Sequence, residues 1–492
     1  MVVYDQKDLI TLIKSRTPII VVETTDEARI LSLIGNAAAT TGQNMNRWNI
    51  ASGLIAGANN SAAAGGNMEP TEILLNIWNT KVAGIYVLID FHPYMTEPRN
   101  VRLIKEIAQG AERYRQTLVF VSYRFDIPEE LQIYTARFEL RLPTDGEIIQ
   151  LINGIAVRWS ANNHTPPMVI PDELRTMLVK NMRGLSVQEV ERVLQKTLTT
   201  HEITRDQIDD VLKAKYELLN KDGVLSYEQD TARFSDVGGV PNLKQWLLQR
   251  QPIFLGDKTI PGIDMPKGIL LLGIQGSGKS LAAKAVAGSW GVPLLRLDFG
   301  ALYDKFIGET ERKTRESLKM AERMAPCVLW FDEIEKGISL EDNDGGTSRR
   351  ILSTLLTWMA ERKSAIFMVA TANDIESLPP ELMRKGRFDE IFFVDLPDAE
   401  TRKVIFSIHL KKRGLDPDNF DFTKLLPASE GFSGSEIEQA IVSGLYSCVG
   451  GAGVLTTELL LNALRATKPL SVVMAEQIRA LRDWAHERTV LA

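Results

Sequence analysis

The stretch at 268–280 reads GILLLGIQGSGKS: an apolar run, then glycines, a lysine and a serine spaced as G-x-x-x-x-G-K-S. A loop of this kind does one sort of chemistry. Its glycines let the backbone turn N–H groups inward around phosphate oxygens, and the helix that follows offers the positive end of its dipole. On that pattern Gly273, Gly276, Ser277, Gly278, Lys279, Ser280 and Leu281 form a triphosphate cradle, with Lys279 reaching the β- and γ-phosphates and Ser280 presenting its hydroxyl to Mg2+. Further on, VLWFDEIEK at 328–336 carries Asp332 and Glu333 out of a second apolar run. Strands of a parallel sheet deliver such residues to the edge where ligands collect. Asp332 is expected to hold the metal through water, and Glu333 to act as general base on an attacking water.

A related phrase, IYVLIDFHPY, occupies 85–94, where Asp90 is followed by Phe91 instead of glutamate. The strand before it, PIIVVE at 18–23, runs into TTDEARI, which has neither the glycines nor the lysine of a phosphate cradle. The segment SYRFDIPEELQIYTAR also lacks the G-R-F-D turn that the second half carries at 386–389. The first half therefore reads as a copy without the chemistry, kept for binding or assembly.

Short β-branched runs alternate with amphipathic stretches along the whole chain, the pattern of a parallel sheet with helices on both faces. In the first half strands are expected at 18–23, 85–90, 117–122 and within ARFELRLP, with helices from Asp26, from Thr71, near 100–113 and from about Thr144. The Gly/Ala/Asn-rich segment 51–67 reads as a flexible loop. The second half repeats the order, with a strand at 365–370, then FDEIFFVDLP and a helix from about Asp398. NMRGLSVQEVERVL and ASEGFSGSEIEQAI match in glycine, small polar residue and following helix, so each half is expected to end in a helical lid. The boundaries expected are 1–165 and 166–220 for the first copy and its lid, 221–233 for a polar linker, 234–397 and 398–470 for the second copy and its lid, and 471–492 for a closing helix.

With 44% hydrophobic and 24% charged residues in 492, the composition is that of soluble globular domains. A net charge of -6 provides no overall basic field for nucleic acid or anionic lipid. Cys327 and Cys448 are the only cysteines, which excludes a disulfide framework or a cysteine-rich metal site and fits a reducing compartment. No uncharged apolar stretch approaches the roughly 18 residues of a membrane span, so no membrane partner is expected.

From Phe234 to about Tyr446 the chain resembles the AAA clade of the AAA+ ATPases in consecutive motifs. FSDVGG resembles the segment that lies against adenine, which implies nucleotide contacts for Asp236, Val237 and Gly238. VATANDIESLPPELMRKGRFD resembles the second region of homology, implying that Asn373 helps place the lytic water and that Arg384 and Arg387 are arginine fingers acting on a neighbouring subunit's nucleotide. GFSGSEI resembles the lid motif, with Gly434 and Ser435 near the nucleotide. Ile274, Gln275 and Lys385 stand where the family has prolines, and none of these replaces a liganding group. Phe306, Ile307 and Gly308 match the aromatic-hydrophobic-glycine pore loop with which remodelling members grip an extended polypeptide, and LEDNDGGTSRR resembles the second pore loop and its helix, with Arg349 a candidate subunit contact.

The resemblance implies tandem P-loop AAA+-type α/β folds with the first copy degenerate, ATP and Mg2+ as ligands, and a homo-oligomeric ring, hexameric in this clade, that remodels or threads an unidentified protein client. A slow, nucleotide-gated scaffold is the alternative. A DNA-directed motor would carry basic loops or a winged helix, and neither is visible. The tandem layout and the tail resemble an AAA family known from an open reading frame of algal chloroplasts and from cyanobacterial genomes, which implies a cytoplasmic protein, or a stromal one if plastid-encoded.

Overall fold

Two sheets of identical central order carry this chain. A computed structural model describes residues 4–56, 61–62, 68–166, 168–197, 204–220, 224–258, 260–299, 309–338, 347–375, 377–384, 386–449 and 453–492. It divides into one unit of residues 1–144 with 186–188, and a second of 145–185 with 189–492.

In the first unit the strands are β1 (Ile19–Glu23), β2 (Met45–Asn49), β3 (Gly53–Ala56), β4 (Ser61–Ala62), β5 (Gly84–Ile89), β6 (Gln116–Ser122) and β7 (Thr135–Phe138), ordered β4-β3-β2-β5-β6-β1-β7. The second unit contains β8 (Leu225–Glu228), β9 (Gly268–Gly273), β10 (Leu294–Leu297), β11 (Cys327–Phe331), β12 (Ile366–Ala372), β13 (Glu390–Val394) and β14 (Val490–Leu491), ordered β14-β13-β9-β12-β11-β10-β8. The central five strands of each are parallel, and β2-β5-β6-β1-β7 repeats β10-β11-β12-β9-β13. This shared order is that of the AAA+ P-loop fold.

Helices cover both faces of each sheet, which is why the strands are continuous apolar runs. In the second sheet Leu270, Leu329, Phe331 and Met368 face one core, while Ile269, Leu271, Trp330 and Val369 face the other, with the helix Lys279–Trp290. The first sheet sorts the same way: Leu88, Leu118 and Phe120 on one side, Val87, Ile89 and Val119 on the other, where the helix Glu27–Thr41 packs.

The expected helices form at Glu27–Thr41, Pro70–Thr80, Pro98–Tyr114, Asp145–Asn163 and Ala399–Lys412. Three expectations are corrected. The segment read as a flexible loop begins as an antiparallel hairpin, β2 with β3, pinned by the Asn49 side chain accepting from the backbone N–H of Ala51 and Ser52. The polar linker contributes β8, antiparallel to β10, because Leu225 is buried and Tyr227 packs on the core. The tail is not helix throughout: after the helix Ala475–His486, β14 extends the sheet beside β13.

The helices Asp145–Asn163, Asp172–Met182, Val187–Thr197 and Arg205–Leu219 share a core of their own. The last of them reaches the core of the P-loop sheet through Tyr216 and Leu219. Arg323, near the end of the helix Glu309–Met324, donates to Gly184 O at 3.1 Å and to the Glu189 carboxylate at 2.6 Å. Lys215, 1% exposed, donates to Arg183 O at 2.6 Å. Burial lowers the Lys215 pKa to about 7, and it raises that of the neighbouring Cys327 thiol to about 12. Among the described residues no helix is long and apolar enough to cross a membrane.

Candidate active site

The phosphate loop links β9 to the helix Lys279–Trp290. Gly276 has φ 77°, and a Cβ there would lie 2.2 Å from Ser435 Oγ, so a side chain would drive the lid away. Gly278 caps the helix at φ 98°, a conformation that costs glycine little. Lys279 is buried, and its ammonium donates to Gly273 O and Ile274 O at 2.8 Å each. Burial depresses its pKa to about 8 against the opposing pull of Glu335, Glu333 and Asp332. Ser277 Oγ is buried without a hydrogen-bond partner, so the loop retains unspent donor capacity. Leu281, the next residue of the helix, is partly exposed beside the loop.

Asp332 and Glu333 leave β11 in opposite directions. Asp332 lies on the side of the phosphate-loop helix: Ser280 Oγ donates to its Oδ1 at 3.4 Å, Thr371 Oγ1 at 2.9 Å, and Arg296 of β10 pairs with Oδ2 at 3.1 Å. A hydroxyl facing a carboxylate oxygen is a pair of hard oxygen donors of the kind that suits Mg2+. Glu333 turns the chain at φ 49°, and its N–H donates to Thr371 Oγ1 at 3.1 Å. Asn373 Nδ2 donates to Glu333 Oε1 at 3.0 Å, and Lys336 to Oε2 at 2.5 Å. Glu335 is buried, which raises its carboxyl pKa, and it accepts from Asn373 N at 2.9 Å, fixing the amide that meets Glu333.

Sequence reasoning passed over Arg296, Thr371, Glu335 and Lys336. The signal available was polarity where the pattern demands apolar residues: Arg296 inside LLRL, and Thr371 inside a strand buried along its length.

The lid meets the loop at the residues its motif suggested. Ser435 N donates to Gly276 O at 3.3 Å, and Ser433 caps the helix Gly434–Ser447 within a capping box completed by Glu436. Gly238 packs against the lid's first helix, where a Cβ would lie 2.8 Å from Ile405; Val237 is buried, its carbonyl accepting from Lys244 at 2.7 Å, and Asp236 accepts from Arg233 N at 2.8 Å. Arg384 is exposed, and Arg387 donates to Leu356 O at 2.5 Å, away from the carboxylates above. Asp389 anchors this turn by accepting from Lys267 N at 2.6 Å and Gly268 N at 3.0 Å at the root of β9. Phe306, Ile307 and Gly308 lie outside the described residues, as does most of the second pore-loop segment; Arg349 is exposed on the helix Thr347–Glu361.

The first sheet corrects the expected match of Asp90 with Asp332. Asp90, not Phe91, is the left-handed residue at the strand exit, φ 52° against 49° for Glu333. Ile89 points to the face of the phosphate-loop-like helix, as Asp332 does, so Asp90 stands where Glu333 stands, and isoleucine takes the place of Asp332. Alternation along a strand makes a one-residue shift a change of face, which the sequence phrase alone does not reveal. Phe91 is fully buried among Trp48, Tyr94 and Phe120.

Residues 5–140 match the SpoVK-like AAA ATPase N-terminal domain, 146–222 the SpoVK-like AAA ATPase second domain, and 269–396 the ATPase family associated with various cellular activities (AAA). AAA domain-containing protein ycf46 of Trieres chinensis is 35% identical over 97% of this chain and 96% of its own length, and that of Guillardia theta 36% identical over 97% and 94%. Proteasome-activating nucleotidase of Aeropyrum pernix is 34% identical over 53% of this chain and 66% of its own. With near-complete coverage on both sides, the chain belongs to the ycf46 family of AAA domain-containing proteins, and so to the AAA ATPases.

Proposed function

We propose that the second copy alone binds and hydrolyses ATP with Mg2+, within a homo-oligomeric ring, hexameric in this clade, and that turnover remodels or threads a protein client. The observation that carries this is the convergence of Lys279, Ser280, Asp332, Glu333 and Asn373 on one sheet edge, while Arg384 is exposed on a turn outside that cluster. Lys279 and the loop N–H groups bind the β- and γ-phosphates, Ser280 and Asp332 hold the metal, and Asp236, Val237, Gly238, Gly434 and Ser435 enclose the nucleotide. Mg2+ supplies neutralisation of phosphate charge. Glu333 takes the proton of the attacking water, oriented by Asn373. Arg384 and Arg387 serve an adjacent copy, which makes hydrolysis depend on assembly. Similarity to a nucleotidase named for proteasome activation supports a protein client over DNA.

A slow nucleotide-gated scaffold is the second reading, favoured by the engagement of both Glu333 oxygens. Glu333→Gln separates the readings. The variant is expected to bind ATP, to lose turnover on the order of 10²–10³-fold, and to retain ring and client together in an affinity capture read by native mass. A variant that remains a single chain with ATP overturns the ring; one that assembles without a client, while Phe306→Ala leaves the wild-type cellular function intact, favours the scaffold.

A further inference from the structure

Glu333 has one neighbour that the shared nucleotide machinery does not require. Lys336 follows it by one helical turn, and its backbone N–H donates to Glu333 O at 2.9 Å, closing the turn that begins the helix Ile334–Ile338. That closure brings the ammonium to Glu333 Oε2 at 2.5 Å, while Asn373 occupies Oε1 at 3.0 Å. The Lys336 side chain is 70% exposed, so it contributes no packing that would explain its place.

A general base needs a carboxylate lone pair aimed at the water it activates, within hydrogen-bond reach. An amide on one oxygen and an ammonium on the other take two of the carboxylate's roughly four acceptor positions and fix its orientation, so a lytic water meets Glu333 only where these two leave room. We propose that Lys336 restrains hydrolysis: it keeps Glu333 engaged until nucleotide or a neighbouring copy releases the pair, setting a low basal rate. The proposal rests on the reading of Glu333 as the general base. Because exposed ion pairs are weak and screened by salt, release is expected to change turnover by about three- to fivefold.

Steady-state ATP turnover of the full chain tests it, using Lys336→Met, which keeps an apolar stem without charge, and Lys336→Arg. Lys336→Met is expected to raise kcat about three- to fivefold with KM for ATP unchanged, and Lys336→Arg to stay near wild type. Wild-type kcat should also rise with added salt more steeply than that of Lys336→Met. Unchanged or lowered kcat in Lys336→Met overturns the proposal, and so does a raised KM, which would make the lysine a nucleotide-binding group. Glu333→Gln measured alongside separates the two levels: if it keeps turnover, the general-base reading fails and the restraint with it; if it is inactive while Lys336→Met matches wild type, only the restraint fails.

Discussion

The two sheets of this chain share strand order and direction yet differ at the one edge where chemistry would occur. After β9 the chain spends residues 274–278 on a glycine turn whose last member caps the next helix in a left-handed conformation. After β1 it spends only residues 24–26, and the cap is Asp26, buried, accepting from Arg29 N at 3.4 Å. A carboxylate at a helix N-terminus satisfies the N–H groups and the dipole that phosphate would use, and repels phosphate as well. The same replacement recurs across the edge, where buried Ile89 stands for Asp332 and Phe91 fills the core. Apolar alternation preserves a sheet through such changes, whereas a nucleotide site does not survive them.

The largest test of this contrast is Lys279→Ala. If the second copy alone holds ATP, the full chain should lose turnover on the order of 10²–10³-fold and lose equilibrium binding of a fluorescent ATP analogue, with no residual site. A remaining stoichiometric site would place nucleotide in the first copy despite Asp26.

The helices after each copy differ too. Those after β13 reach the phosphate loop through Ser435, whereas Asp145–Leu219 packs in the second unit around buried Lys215. Lys215 titrates near 7 when folded, below the ordinary value of about 10.4 when unfolded. The unfolded chain therefore binds the extra proton between these limits, so this group's contribution is fully present above pH 10, is lost as pH falls toward 7, and is flat below. Lys215→Met should flatten the pH dependence of the thermal midpoint between pH 7 and 9.5 and stabilise the chain near pH 7 by about 1–2 kcal/mol. Equal slopes in both proteins would show that the helices do not depend on this neutral amine.

What could be read from residues alone follows from what is local. The phosphate loop, the acidic pair and the buried strands depend on neighbours in sequence, and Lys279, Asp332 and Asn373 come together in one cluster. The strand β8 was hidden because its pairing with β10 depends on Leu225 and Tyr227 finding a distant core, not on alternation in four residues. β14 was hidden likewise: a two-residue strand carries no period, and Arg482, bonded to Asp395 at 2.8–3.0 Å, brings the tail back to its sheet. Arg296 and Thr371 were visible as polar residues in apolar runs, but their shared target, Asp332, is a fact of sheet register.

Asp90 carries the smallest expected effect and the sharpest logic. It shares the strand-exit turn and the left-handed backbone of Glu333, so it stands where the proposed general base stands in the second copy. It has no phosphate loop opposite, no metal carboxylate beside it and no asparagine in reach of the kind Asn373 supplies, since residues 122–125 read SYRF. Its remaining task is to turn the chain, and asparagine tolerates that conformation as well as aspartate does. Asp90→Asn should therefore leave ATP turnover within about twofold of wild type and shift stability by no more than about 0.5 kcal/mol, in contrast to Glu333→Gln at the corresponding turn. A large loss of turnover in Asp90→Asn would mean that the first sheet edge still takes part in hydrolysis, and the division of labour between the copies would have to be redrawn around a carboxylate that kept its place after its partners were lost.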